Sequence, residues 1–218
     1  MHGDPRHPTA TQPYPIVSGM ETQDAKDELR RAIRHQRETR SQRLREEAAH
    51  AFAEVLATVP AVAEAAVVAT YASRPAEPGT GPLLDRLAGR GARVLLPVLG
   101  AGLARDWAEY AGPEDLCERA PGRPPEPGGP TLGADAVAQA DVVVVPALAV
   151  DTTGARLGQG GGWYDRTLKQ ARPGATVVAM VYPEEYYDAA DRPLPVAGHD
   201  VAVHAVATPD GWWPLPVV

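Results

Sequence analysis

The residues whose types and spacing most strongly indicate chemistry lie between positions 141 and 166. This segment reads DVVVVPALAVDTTGARLGQGGGWYDR, which is an apolar run followed by a turn, an arginine, a glycine-rich stretch and an acidic residue. Because glycine lacks a Cβ atom, backbone N–H groups in such a stretch can approach a ligand closely. The start of a following helix would add partial positive charge. The segment therefore predicts a binding site for a phosphate group.

The glycine-rich stretch matches neither of two common phosphate-binding motifs. A dinucleotide fingerprint would need glycine at position 163, where Trp163 stands, and no Gly-Lys-Ser/Thr sequence occurs in the chain. A tight turn without a ligand is the simpler alternative, but three consecutive glycines are an entropically costly way to make one. We therefore expect a glycine loop of another type.

Asp165 follows the glycines, where a carboxylate would repel a phosphate. A Mg²⁺ ion between the two would remove this conflict, since Mg²⁺ is commonly held by one or two carboxylates together with substrate phosphates. Alternatively, Asp165 is simply an acidic residue in the first turn of a helix, where it favours the helix dipole. The spacing alone favours neither interpretation.

Several other side chains could contribute to such a site. Lys26 and Arg30 begin a basic stripe on a predicted helix and could reach phosphates, although such stripes are usually solvated faces. Glu77 follows a predicted strand, and ligands bind at the carboxyl ends of strands in open α/β sheets, but a lone loop glutamate is usually solvated. Four aromatic residues could stack on a flat ring or belong to the core, namely Tyr71, Trp107, Trp163 and Tyr164.

The composition excludes several classes of protein. The net charge of −7 argues against nucleic acid as the main partner. Cys117 is the only cysteine, so an intramolecular disulfide and a cysteine-based zinc cluster are both excluded. The first twenty residues lack the apolar core of a signal peptide, and no apolar run is long enough to cross a bilayer. We expect a soluble, cytoplasmic protein.

Alternating strands and helices predict the fold. Residues 1–21 are polar and rich in proline, which predicts a disordered tail, and residues 22–218 predict one α/β domain. Continuously apolar strands separated by helices indicate a mostly parallel sheet in a three-layer arrangement, flanked by helices on both faces. The predicted strands are 65–71, 93–99, 105–110, 142–150, 175–181 and 201–207.

The chain resembles the 5-formyltetrahydrofolate cyclo-ligase (5,10-methenyltetrahydrofolate synthetase) family. The strongest match is VPALAVDTTGARLGQGGGWYDRTL, and KDELR, YASRPAEPGT and HDVAVHAVATP match three further family segments in the right order. The resemblance covers roughly residues 23–209. It implies a sheet like that of sugar-phosphate isomerases and CoA transferases.

The resemblance also implies roles for individual residues. Lys26 and Arg156 would be catalytic, Asp165 and Asp200 would hold Mg²⁺, and ATP would be a co-substrate. The ATP-binding residues would be Lys26, Arg30, Arg156, Gly158, Gln159, Gly160, Gly161, Gly162, Trp163 and Tyr164. The folate-binding residues would be Ala72, Glu77, Trp163 and Tyr164.

The implied reaction is the ATP-dependent cyclisation of 5-formyltetrahydrofolate to 5,10-methenyltetrahydrofolate, with release of ADP and phosphate through a phosphorylated formyl oxygen. Two alternatives remain open, a non-catalytic nucleotide- or folate-binding paralogue and a sugar-phosphate or CoA-directed enzyme on the same sheet. The chain departs from the family at Trp163, where tyrosine is usual, and at residues 122–129, which match the family's Gly-Ile-x-Glu-Pro loop only loosely.

Overall fold

The computed structural model describes residues 12–99 and 105–216, so the first eleven residues of the predicted tail lie outside the described chain. The helices are α1 (Thr22–Glu38), α2 (Gln42–Ala57), α3 (Pro60–Glu64), α4 (Gly81–Gly89) and α5 (Trp163–Thr167). The strands are β1 (Val67–Ala69), β2 (Arg93–Leu99), β3 (Arg105–Glu109), β4 (Leu116–Cys117), β5 (Glu126–Pro127), β6 (Val142–Pro146), β7 (Ala149–Asp151), β8 (Arg156–Leu157), β9 (Thr176–Met180), β10 (Tyr186–Tyr187), β11 (Ala205–Thr208) and β12 (Gly211–Pro214).

The main sheet has seven strands in the order β12-β11-β9-β6-β1-β2-β3. Its five inner strands run parallel, and the edge strands β12 and β3 pair antiparallel with their neighbours. The mostly parallel α/β sheet predicted from the apolar runs is therefore confirmed. The edge strand β12 is not among the predicted strands, because its four residues offer no continuous apolar run.

Alternate residues of the inner strands fill two separate cores. On β6, Val142 and Val144 join the core beneath α2, α3 and α4, whereas Val143 and Val145 face the opposite side. That second side is covered by short 3₁₀ segments at 134–139 and 168–170 rather than by long α-helices. Burial on both faces explains why these strands are apolar at every position.

The apolar run at 142–150, predicted as one strand, forms two strands in two sheets. It leaves the main sheet after Pro146, and β7 pairs instead with β8 and β10 in a small three-stranded sheet. Helix α1 packs on this small sheet through Leu29 and Ile33, which contact a core containing Leu148 and Leu157. This break places α1 and the glycine-rich loop after β8 on the same side of the molecule.

A buried ion pair fixes α1 to the rest of the fold. The Arg37 guanidinium donates to both carboxylate oxygens of Glu185 at 2.7 Å and to the carbonyl of Ala147 at 2.7 Å. Burial opposes the charge of Arg37, but the neighbouring Glu185 carboxylate raises the pKa of Arg37 above its ordinary value. Because α1 carries Lys26 and Arg30, this ion pair also sets their position.

Residues 12–21 contact the domain, although their composition predicts a disordered tail. Tyr14 is 4% exposed, and its ring centroid lies 6.3 Å from that of Tyr187. The Gln12 side-chain amide donates to the carbonyl of Tyr186 at 3.1 Å. The composition of the segment favoured disorder, but one buried aromatic ring is enough to order a short stretch of chain.

Candidate functional site

An apolar cavity of about 260 Å³ lies at the carboxyl ends of the central parallel strands. Tyr71 and Ala72 follow β1, Pro97 and Leu99 end β2, and Pro146 ends β6, and all five residues line this cavity. Ligands of open parallel sheets bind at this edge, because the loops that leave the strands converge there. A ligand site is therefore expected at this cavity.

Most of the predicted site residues surround this cavity. Those that line it are Ala72, Glu77, Arg156, Gly158, Gln159, Gly161, Gly162, Trp163, Tyr164 and Asp165. The remaining four do not line the cavity, but contacts described below connect them to it, and they are Lys26, Arg30, Gly160 and Asp200. The structure thus brings the predicted residues together from both ends of the chain.

The glycine-rich loop has a backbone that requires glycine at two positions. Gly160 has a φ of +102° and Gly162 a φ of +61°, a region that other residues rarely adopt. Within the described chain, the N–H groups of Gly160, Gly161 and Gly162 donate no hydrogen bond to protein. The helix that follows has only five residues, so these N–H groups, rather than a long helix dipole, are what the loop can offer an anion.

Arg156 and Asp165 form an ion pair beside this loop. The Arg156 Nη2 atom donates to the Asp165 Oδ1 atom at 2.6 Å, and the Arg156 side chain is almost fully buried. The Arg156 Nε atom is buried and has no hydrogen-bond partner among the described residues. A buried guanidinium that is only partly satisfied at the edge of a cavity is suited to an incoming anion.

Lys26 and Asp200 form a second ion pair on the neighbouring side of the site. The Lys26 Nζ atom lies 2.5 Å from the Asp200 Oδ2 atom, and only 4% of the Lys26 side chain is exposed. The backbone N–H of Val201, the residue after Asp200, donates to Asp165 Oδ1 at 3.3 Å. The two aspartates are therefore on adjacent segments, each paired with a cation, and the solvated-face alternative for Lys26 is wrong.

The basic stripe of α1 contacts the glycine loop directly. Arg30 donates through Nε to the carbonyl of Gly158 at 3.0 Å, and Arg34 donates through Nη2 to the carbonyl of Gln159 at 2.6 Å. Burial, followed by repulsion from Arg30 and Arg74, lowers the pKa of Arg34 below its ordinary value. The repulsion from Arg30 and Arg74, which is the smaller part of this lowering, shows that arginines cluster at the loop, where an anionic ligand would relieve the repulsion.

Glu77 also lines the cavity and is 7% exposed. Its Oε1 atom accepts from Arg74 Nη2 at 2.8 Å and from Gln159 Nε2 at 3.3 Å. The carboxylate is therefore held in place by a loop arginine on one side and by the glycine loop on the other. The solvated alternative for Glu77 is wrong, because the side chain is buried and lines the cavity.

Three aromatic rings pack together next to the glycine loop, and two of them, Trp163 and Tyr164, line the cavity. Trp163 packs edge-on against Trp107 with ring centroids 5.3 Å apart, and against Tyr164 at 4.8 Å. Burial, followed by the charge of Glu77, raises the pKa of Tyr164 above its ordinary value, so its hydroxyl stays neutral. Trp163 and Tyr164 thus line the cavity and also pack partly into the core. A place at the ligand site and a place in the core, the two interpretations that the sequence left open, are therefore combined in these residues.

The donor set suits Mg²⁺ that is bound together with phosphates. Among the described residues, no group of three or more His, Cys, Asp or Glu side chains could hold a metal ion by itself. Two neighbouring carboxylates, Asp165 and Asp200, are nevertheless present, and Mg²⁺ typically binds through one or two carboxylates plus substrate phosphate oxygens. Their present partners, Arg156 and Lys26, are the cations that a triphosphate would attract.

Substituting Asp200 by asparagine should give a pH-dependent loss of stability. Burial alone would raise the pKa of Asp200, but the Ala197 amide and the Lys26 ammonium outweigh it and hold the pKa below its ordinary value. The ionised form therefore stabilises the fold above about pH 4 and loses this effect as the pH falls through the lowered pKa. Urea unfolding should show a deficit of roughly 1 kcal/mol for Asp200→Asn at pH 7.

The deficit of Asp200→Asn should shrink as the pH falls through the lowered pKa of Asp200, because the wild-type carboxylate then becomes protonated as well. Lys26→Met removes the other half of the pair and should lose the same pH-dependent part of the free energy of unfolding. A deficit for Asp200→Asn that stays constant throughout the acid titration of the wild-type carboxylate would show that the ion pair does not stabilise the fold.

Several residues that line the cavity have no role predicted from the sequence. Arg74 pairs with Glu77 and lines the cavity, and Pro124 and Pro125 form part of the wall opposite the glycine loop. Arg74 follows the first strand, as Glu77 does, so the same argument from strand ends could have found it. Nothing in the sequence of the proline-rich segment indicates which of its prolines would face the cavity.

Comparison with known proteins agrees with this geometry. The chain matches the 5-formyltetrahydrofolate cyclo-ligase family over residues 22–209. A 5-formyltetrahydrofolate cyclo-ligase from Mycolicibacterium smegmatis is 44% identical over 147 residues, covering 65% of this chain and 73% of that protein. The chain belongs to this family. A cyclo-ligase from Escherichia coli K12 is 31% identical over 185 residues, covering 83% of this chain and 98% of that protein.

Solved structures confirm the assignment to the cyclo-ligase family. The NMR structure of Aquifex aeolicus 5,10-methenyltetrahydrofolate synthetase superposes with a TM-score of 0.73 at 26% identity, covering 88% of this chain and 94% of that one. The Mycoplasma pneumoniae 5,10-methenyltetrahydrofolate synthetase shares the fold, with a TM-score of 0.64 at 17% identity. The chain is thus an enzyme of the cyclo-ligase class, and the described residues contain no helix long and apolar enough to span a membrane.

Proposed function

We propose that this enzyme cyclises 5-formyltetrahydrofolate to 5,10-methenyltetrahydrofolate, using ATP and Mg²⁺ and releasing ADP and phosphate. One observation carries the proposal. Two cation–aspartate pairs, Arg156–Asp165 and Lys26–Asp200, stand next to each other between a glycine loop with unused N–H groups and an apolar, aromatic cavity. Such a site can hold a triphosphate and a flat ring system side by side.

The triphosphate would lie along the glycine loop. The backbone N–H groups from Gly158 to Gly162 would donate to phosphate oxygens, and Arg156, Lys26 and Arg30 would neutralise negative charge. Catalysis of phosphoryl transfer consists mainly of such positioning and charge stabilisation. No side-chain nucleophile is required, which agrees with a sequence whose residue order indicates no Ser–His–Asp or Cys–His arrangement.

The metal would be held by Asp165 and Asp200. A bound Mg²⁺ supplies charge neutralisation on the phosphates and a fixed orientation for them. When the phosphates and the metal enter, Arg156 and Lys26 would exchange their aspartate partners for phosphate oxygens. The ion pairs of the ligand-free protein thus keep all four side chains in place without leaving a charge unpaired.

The reduced folate would occupy the apolar cavity. Trp163, Tyr164 and Ala72 would contact the pterin, and the buried carboxylate of Glu77 would accept hydrogen bonds from its N–H groups. At Trp163 an indole replaces the tyrosine usual in the family, which keeps a flat apolar face but removes a hydroxyl. We therefore assign that position a packing role only.

Phosphorylation by ATP turns the formyl oxygen, which is a poor leaving group, into part of a phosphate, which is a good one. The formyl group on N5 is amide-like, so its oxygen does not leave by itself. Attack of that oxygen on the γ-phosphorus forms an iminium phosphate and releases ADP. Nucleophilic attack by N10 on the same carbon closes the ring, N10 loses its proton, and departure of phosphate leaves the methenyl bridge. The role of the protein is to align the oxygen, the phosphorus and N10.

A spectrophotometric assay tests this proposal. Protein, ATP, Mg²⁺ and 5-formyltetrahydrofolate are mixed, and the near-ultraviolet absorption band of the methenyl product is followed together with ADP release. We expect product and ADP in equal amounts, and neither without Mg²⁺ or ATP. Bound ATP without product would indicate a non-catalytic paralogue, and indifference to ATP would indicate a sugar-phosphate or CoA-directed enzyme.

We also propose that the enzyme works as a cytoplasmic monomer on small molecules, without nucleic acid. All residues assigned to the site come from one copy of the chain, so the proposed chemistry needs no second subunit. Gel filtration at micromolar concentration checks the oligomeric state.

A further inference from the structure

A second depression, the basin, adjoins the apolar cavity and has no role in the chemistry described above. It has a volume of about 690 Å³ and lies between α2 and the loops that carry Arg74 and Arg123. Three residues, Arg74, Glu77 and Pro125, line both the basin and the cavity. A ligand that starts in the cavity can therefore extend into the basin past these shared walls.

The size of the cavity requires such an extension. Its volume of about 260 Å³ is below the lower end of typical cavities for whole ligands, which is roughly 300 Å³. A reduced folate consists of a pterin, a phenyl ring and a glutamate, and part of the cavity faces the nucleotide loop. The pterin can be enclosed, but the glutamate end must lie outside.

Three arginines of the basin could bind an anionic group. Arg45, Arg74 and Arg123 approach the basin from three different segments, and all three are partly buried. Arg74 is paired with Glu77, and Arg123 donates to the carbonyl of Leu99 at 3.1 Å. The side chain of Arg45, by contrast, makes no hydrogen bond or ion pair with any residue that the structure describes.

The acidic residues of the basin, Glu46, Glu77 and Glu118, equal its arginines in number, but a local donor holds each carboxylate in place and none is paired with Arg45. Glu46 accepts from the side chain of Gln42 at 2.7 Å, and Glu118 accepts from the backbone N–H of Gly122 at 2.9 Å. Glu77, as described, is held by Arg74. Arg45 is thus the basin arginine whose side chain has no hydrogen-bond or ion-pair partner among the described residues, and it can turn to a carboxylate from outside.

We propose that this basin binds the glutamate tail of the reduced folate, with Arg45 as the main carboxylate partner and Arg123 as a second. The inference rests on the proposed function, since it takes the folate as substrate. It makes Arg45 a specificity residue that acts on substrate binding and not on the chemical step, because the tail lies far from the formyl group along the molecule.

The basic surface on α1 is a less suitable place for the tail. The depression formed there by Arg30, Arg31 and Arg34 shares no lining residue with the cavity. Its arginines already have partners. Arg30 and Arg34 donate to carbonyls of the glycine loop, and Arg31 pairs with Glu28. Arg30 and Arg34 support the loop, whereas the Arg45 side chain holds no other segment of the described structure through a hydrogen bond.

Arg45→Gln tests the inference with two substrates. One is 5-formyltetrahydrofolate, and the other is an analogue that keeps N5, N10 and the phenyl ring but lacks the glutamate. For the natural substrate we expect KM to rise about threefold to tenfold with kcat unchanged. For the analogue we expect wild type and variant to have the same KM, and Arg45→Lys should restore most of the loss.

Arg43→Gln is the matched control. Arg43 lies on the same helix, but its side chain is 72% exposed, pairs with Glu47 and does not line the basin. Equal KM values for wild type and Arg45→Gln with the natural substrate would overturn the inference, as would an equal rise in KM for the analogue. Equal KM values for wild type and Arg45→Gln would leave the proposed function intact.

Equilibrium binding separates the two proposals if turnover is absent. Titration of 5-formyltetrahydrofolate against tryptophan fluorescence measures binding without ATP. If wild type binds the folate without turning it over, the proposed reaction fails, and a weaker affinity of Arg45→Gln would still support the basin. If wild type does not bind the folate, both proposals are overturned.

Discussion

Asp165→Asn is expected to lower kcat/KM by about a thousandfold, since it removes a carboxylate from the proposed metal site. Asparagine has nearly the same shape, and its amide oxygen can still accept the hydrogen bonds that Asp165 Oδ1 receives from Arg156 and Val201. The melting temperature should therefore change by only a few degrees. Steady-state kinetics and thermal unfolding measure the two effects on the same preparation.

A binding measurement separates a metal role of Asp165 from a purely structural one. Mn²⁺ binding in the presence of a non-hydrolysable ATP analogue should weaken at least about tenfold in Asp165→Asn. Asp85→Asn is the control, because Asp85 is exposed on α4 and accepts a hydrogen bond from the Tyr110 hydroxyl. Unchanged Mn²⁺ affinity together with near-normal turnover in Asp165→Asn would remove Asp165 from the metal site.

Arg156→Lys should lower kcat by about a hundredfold, with a smaller effect on the KM for ATP. The guanidinium presents several N–H groups in one plane, so it contacts Asp165 at 2.6 Å while its buried Nε has no partner among the described residues. A lysine ammonium keeps the charge but cannot hold the carboxylate and a phosphate oxygen in the same fixed geometry. Single-turnover kinetics would locate the loss in the phosphoryl-transfer step.

Arg172→Lys is the control for this substitution. Arg172 also pairs with an aspartate, Asp141 at 2.5 Å, but its side chain is half exposed and lies away from the cavity. We expect Arg172→Lys to retain nearly full activity. If Arg156→Lys also retained it, a point charge would be sufficient, and the planar geometry of Arg156 would have no catalytic importance.

Much of the site could be predicted because its key residues are close together in the sequence. Arg156, the glycines and Asp165 belong to one local segment, so their types and spacing by themselves indicate a phosphate site. Glu77 could be found because it follows a strand of a parallel sheet, and the topology of such sheets brings their strand ends together. Local pattern and simple topology thus account for the glycine loop and one cavity wall.

Other parts of the site could not be predicted, because they depend on contacts between distant segments. Whether Lys26 faces solvent or the site depends on how α1 docks, and that is decided by the buried Arg37–Glu185 pair. The run at 142–150 is expected to be one strand, but Pro146 lets the chain leave the main sheet there. A pattern of apolar residues shows that both halves are buried but not that they belong to different sheets.

The ordered stretch at 12–21 shows the same limitation. Its composition predicts disorder, and only the ring of Tyr187 and the carbonyl of Tyr186 provide a place for Tyr14 and Gln12. A prediction from the sequence of one segment alone cannot include its contacts with residues that are distant in the sequence.

The wide separation of the paired residues has a consequence for synthesis on the ribosome. Lys26 and Asp200 are 174 positions apart, as are Gln12 and Tyr186. A nascent chain that already contains the whole glycine loop still lacks Asp200, because this residue lies further along the chain and is made later. Prematurely terminated products that stop between the two would therefore carry the glycine loop without the second aspartate of the proposed metal site.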